Sequence, residues 1–119
     1  MTNTRTYTGG CHCGLVRFEC TTDLASVTVC NCSICTKKGL HFAFLAPNKF
    51  VLRAGEDNLK EYLFNKHAIR HQFCVDCGVE VFARGNKPDG TDMVALNVSC
   101  IDGIELAKLA MMPFDGRSL

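Results

Sequence analysis

The chain has 119 residues, 47% of them hydrophobic and 21% charged, with a formal net charge of +1. That balance excludes a disordered or fibrous protein. The 13 Lys and Arg residues form no dense basic stripe, so nucleic acid is not the expected partner. The longest apolar runs, such as Phe42 to Pro47, fall far short of the ~20 residues that cross a bilayer, so no membrane span is expected. The opening "MTNTRTYTGG" lacks the apolar stretch of a secretory leader, so the expected location is cytoplasmic.

Taken in chain order, short segments of β-branched and aromatic residues recur: "RTYTGG", "LVRFECTT", "SVTVCN", "HFAFLA", "FVLRAG", "KEYLFN", "IRHQFC", "VEVFARG", "DMVALNVSC" and "ELAKLAMM". Several alternate apolar and polar residues as strands do, and turn signals such as Gly55-Glu56-Asp57-Asn58 and Asp102-Gly103 separate them. Only "SICTKKG" suggests a helix, of one or two turns, with Ser33 as N-cap and Gly39 as C-cap. No βαβ repeat is visible. The pattern predicts one mostly β domain over residues 1–119.

The 9 cysteines carry the chemistry. Their odd number and a reducing compartment disfavour disulfides, which leaves metal ligation or thiol reactivity, to be decided by spacing. Cys11-His12-Cys13 and Cys74-Val75-Asp76-Cys77 are two close pairs far apart in sequence, able to close one tetrahedral four-sulfur zinc site. Gly10, Gly14 and Gly78 flank them, where a backbone turning tightly round an ion needs little side chain. The rival reading of "CVDCG", a redox pair of the thioredoxin type, requires a βαβ setting that is absent.

Cys30, Cys32 and Cys35 are a group of three. Three protein ligands with one open position are what catalytic zinc sites keep, because the fourth position takes water or substrate. Two further readings stay open: a closed site completed by His12, His41, His71, Cys20 or Cys100, and a metal-free cluster of reactive thiols. Lys37 and Lys38 follow directly and would favour thiolates or meet an anionic ligand. In a strand, His71 and Phe73 share one face and Cys74 takes the other, so His71 points away from the first site and could act near neutral pH. Cys20 and Cys100 read as small buried hydrophobes.

The runs "GGCHCGLVRF", "CNCSICTKKG" and "FCVDCGVEVF" resemble the glutathione-dependent formaldehyde-activating enzyme family, and within it the centromere protein V subgroup. The resemblance implies a β-tent of antiparallel sheets with two zinc ions. A structural one would sit on Cys11, Cys13, Cys74 and Cys77, and a catalytic-type one on Cys30, Cys32 and Cys35. It also implies a carbon-sulfur lyase acting on a glutathione or other thiol adduct such as S-(hydroxymethyl)glutathione. Within that reading Cys32 is the expected catalytic cysteine, and the residues noted above, Lys37, Lys38 and His71, are the expected substrate-binding ones. Val79 stands where many members of the formaldehyde type carry Ser or Thr. The alternative implied by the subgroup is a non-enzymatic zinc module that binds a protein or a small thiol.

Overall fold

The computed structural model describes residues 4–63, 69–87 and 89–116. Ten strands form two sheets. The smaller has the order β1 (Arg5–Gly10), β2 (Arg17–Thr22), β5 (Phe50–Ala54). The larger is seven-stranded: β10 (Met111–Phe114), β3 (Val27–Cys30), β4 (Phe42–Leu45), β9 (Asp92–Asn97), β8 (Glu80–Asn86), β7 (Arg70–Cys74) and β6 (Leu59–Tyr62). The protein is mostly β, as the alternation predicts. One pair departs from the antiparallel expectation, since β10 runs parallel to β3. The segment "ELAKLAMM" accordingly divides into a 3-10 turn, Leu106–Lys108, and the start of that edge strand.

The main core lies between the sheets. Phe18 of β2 stacks on Phe50 of β5 with ring centroids 5.4 Å apart, and Phe50 meets Phe82 of β8 at 4.7 Å. Offset and tilted aromatic pairs at such spacings add to the burial of their large apolar faces. Val16, Val81, Val94, Leu96 and Val98 fill the same core. Strand β8 is buried along most of both faces, which is why "VEVFA" reads as a nearly continuous apolar run.

The outer face of the large sheet carries a second, smaller cluster: Cys35, Leu40, Phe42, Ala83 and Ala95, with Cys30, Cys32 and Ile34 packed on it. Helix α1 (Ser33–Lys38) lies there. Cys32, rather than Ser33, is its N-cap, and Gly39 closes it in the left-handed conformation at φ 66°, its N–H bonding to the carbonyl of Cys35. Small residues at 83 and 95 let the helix approach the sheet, and the cysteine motif is thereby backed by a dry surface.

Candidate metal centres

All 9 cysteines are free, and two groups of them converge. Cys11 and Cys13 lie in the β1–β2 connection, Cys74 ends β7, and Cys77 sits in the tight turn before β8. Their four sulfurs lie within 4.8 Å of one another. The Sγ atoms of Cys11 and Cys13 are 3.5 Å apart, and those of Cys13 and Cys74 3.6 Å. Four sulfurs at a zinc–sulfur distance of about 2.3 Å would stand about 3.8 Å apart, so this donor set fits zinc. Each knuckle is built alike: the glycine after its second cysteine takes a positive φ, 86° at Gly14 and 77° at Gly78, with open space where a Cβ would go. Conformation, not crowding, is what selects glycine there. Gly10 differs, being extended at the end of β1, where a side chain would meet the carbonyl of Val16. The backbone N–H of Val16 donates to Cys11 Sγ at 3.3 Å, and Asn58 Nδ2 to Cys74 Sγ at 3.2 Å. Such donors favour thiolates and orient metal ligands from outside. Burial opposes ionisation of Cys77, yet the backbone N–H groups of Val79 and Cys13 and its thiol neighbours hold it down to about 6.

Cys30, Cys32 and Cys35 form the second group, again with sulfurs within 4.8 Å. Strand β3 ends at Cys30, Cys32 precedes the helix, and Cys35 is buried in its first turn. Burial, then the neighbouring thiols Cys32 and Cys30, push Cys35 up. Burial also opposes ionisation of Cys32, but the backbone N–H groups of Cys35 and Ile34, at the open end of the helix, bring it below its ordinary value. Among the described residues no histidine or further cysteine joins this group. Cys20 and Cys100 lie in the main core, where burial pushes them up to about 11 and about 12.

Beside the three thiols is a cavity of about 400 Å³ between the helix and the edge strand, lined by Cys30, Asn31, Cys35, Leu40, His41 and Pro113 among others. Among the described residues, His41 Nδ1 is the buried side-chain nitrogen or oxygen without a hydrogen-bond partner. Buried polar groups without a partner are exceptional in folded proteins. Residues 114–116 close over the same spot. Asn31 N–H donates to the carbonyl of Phe114 at 3.1 Å, Asn31 Nδ2 to Asp115 Oδ1 at 2.9 Å, and any side chain at Gly116 would run into Cys30 Sγ.

Lys37 is exposed on the helix. Lys38 turns instead to Glu80, with Nζ 3.0 Å from Oε1, and lies over the Phe73 ring at 5.0 Å. His71 is buried, and its Nδ1 is 2.8 Å from Glu80 Oε2. A carboxylate only accepts, so this contact requires the hydrogen on Nδ1. Neither Lys38 nor His71 lines the cavity. Glu80 is absent from the expectations drawn above, although a lone charge inside "VEVF" signals a buried group with a partner.

A family model described as glutathione-dependent formaldehyde-activating enzyme matches residues 6–114. The chain belongs to this family. A similar solved structure is a Rhodobacter sphaeroides protein, with a TM-score of 0.75 and 25% identity over 88% of this chain and 99% of that one. The part of the chain matched to the glutathione-dependent formaldehyde-activating family thus contains both cysteine groups and every strand residue except Arg5.

Proposed function

We propose that this protein is a zinc-dependent carbon-sulfur lyase of the glutathione-dependent formaldehyde-activating type, acting on a glutathione or similar thiol adduct such as S-(hydroxymethyl)glutathione. The observation that carries this reading is a three-thiol group of which Cys30 and Cys35 line a cavity, while four other cysteines converge elsewhere. Cys11, Cys13, Cys74 and Cys77 would hold a structural zinc, and Cys30, Cys32 and Cys35 a second one. Bound there, zinc would supply a Lewis acid that favours the ionised form of a substrate thiol. The chain's own residues do the rest. The cavity admits the carbon end of the adduct, with Leu40 and Pro113 as apolar walls. In the lyase direction the carbon–sulfur bond breaks with its electron pair on sulfur, and the hydroxyl proton leaves as the carbonyl forms. His41, which lines the cavity, is the residue we assign to accept that proton. Cys32, held below its ordinary value by the backbone N–H groups around it, is the cysteine we assign as catalytic, beside the cavity rather than in its lining. Lys37, exposed beside the motif, is the cation left to meet a carboxylate of the thiol ligand. Nine free thiols suit a reducing compartment, and we place the protein in the cytoplasm.

The test is a triple replacement of Cys30, Cys32 and Cys35 by Ser. The variant should keep one zinc by native mass spectrometry, keep its fold by circular dichroism, and lose all turnover of S-(hydroxymethyl)glutathione. A wild type that holds two zinc ions but neither turns over the adduct nor responds to glutathione would favour a non-enzymatic zinc module.

A further inference from the structure

The outer face of the large sheet carries a buried charge assembly with one irregularity of backbone at its root. In the β7–β8 ladder Phe73 pairs with Glu80 and Gln72 with Phe82, so β7 advances one residue while β8 advances two. Val81 is the extra residue of a bulge. Regular alternation would put Glu80 on the same face as Phe82, within the main core. The bulge turns it to the face of Phe73 and His71, where helix α1 lies; bulges serve to re-aim a side chain in this way. On that face His71 stands opposite Ala83, and Ala83 opposite Ala95, the two alanines on which Cys35 packs. The Glu80 side chain is 0% exposed, that of Lys38 27%. Taking a carboxylate out of water is costly unless it is paired and hydrogen-bonded, and here Lys38 and His71 take one oxygen each. Its backbone carbonyl is held too, by Asn97 Nδ2 at 2.9 Å.

We infer that Glu80 is the positioning residue of the three-cysteine centre, its bulge-directed carboxylate anchoring Lys38 and with it the helix that carries Cys35. Lys38 is one helical turn beyond Cys35, so the ion pair fixes the depth and rotation of the helix against the sheet. The helix is too short to hold its own shape, being only six residues long. Three sulfurs keep metal-binding separation only if that turn stays in place. Glu80 touches no sulfur and acts through Lys38, while His71 steadies the carboxylate from the other side. The role given to Lys38 and His71 is thus to hold the site, not to grip a substrate. This rests on the reading of Cys30, Cys32 and Cys35 as a metal site.

The experiment loads the four-cysteine site with zinc and titrates the remaining site with cobalt against a chelator, reading the absorption of tetrahedral thiolate coordination. Groups outside the ligand set typically change metal affinity about 10- to 100-fold when removed. Glu80→Gln and Lys38→Met should each weaken cobalt binding at least about 10-fold, the double variant should be no worse than either, and Lys38→Arg should stay within about threefold of wild type. Unchanged cobalt affinity alongside a lowered Tm would overturn the inference and leave a merely structural ion pair. Additive losses would overturn it as well. If Glu80→Gln does not fold, the Lys38 variants decide alone, since that side chain is partly exposed. Failure of the wild type to take up a second cobalt is a separate result, and it would remove the metal-site reading itself.

Discussion

Cys74 meets Cys13 across 61 residues of chain, fully buried and with Asn58 on its sulfur. Replacing it by Ser removes one of four candidate ligands from a site where a bound zinc would contribute folding energy directly, so the variant should hold less metal and unfold cooperatively well below the wild-type Tm. Metal content and circular dichroism check this. In the other group, the opposite displacement of two thiols sets an order of reactivity. The thiolate is the nucleophile, so a lowered Cys32 keeps reacting as pH falls below its ordinary 9.0, whereas a raised Cys35 is silenced first. With the structural zinc in place and the second site stripped, iodoacetamide at neutral pH should label Cys32 well before Cys35, as read by peptide mass spectrometry. The partition of seven cysteines into four and three is legible in their spacing. That Glu80 holds Lys38 is not, because nothing local says where a bulge will fall.

At the scale of elements, "SICTKKG" announces its helix through its length and its glycine, but the position of the N-cap depends on where β3 stops. Gly39 lies at φ 66° with open space around it, so Gly39→Ala meets conformational strain alone. A left-handed residue with a side chain costs about 1–2 kcal/mol, and chemical denaturation of this variant should show a loss of that size. Gly116 presents the opposite case. Space, not φ, restricts it, and Gly116→Val should drive the closing segment off Cys30 and lower metal occupancy at the three-cysteine group while sparing the other. The parallel pairing of β10 with β3 escapes a sequence reading because about two thirds of the chain lies between the two strands, and edge strands carry weak alternation.

Across the whole molecule, the four-cysteine group ties the β1–β2 hairpin of the small sheet to the β7–β8 hairpin of the large one. A cross-link closing a loop of about 60 residues removes about 4 kcal/mol of chain entropy from the unfolded state, and a bound zinc would act in the same sense. Stripping metal with a strong chelator should therefore lower Tm by many degrees, and restoring zinc should recover it. No helix among the described residues is long and apolar enough to cross a membrane. By itself the sequence determined the β class, the one short helix, the two cysteine groups and the family, because alternation, turn residues and ligand spacing are local in the chain. Only the tertiary structure decided what surrounds the groups: the cavity with His41, the closing segment over Cys30, and the buried Lys38–Glu80–His71 assembly. Each of these joins residues far apart in sequence, and packing and strand register, which no local pattern encodes, bring them together.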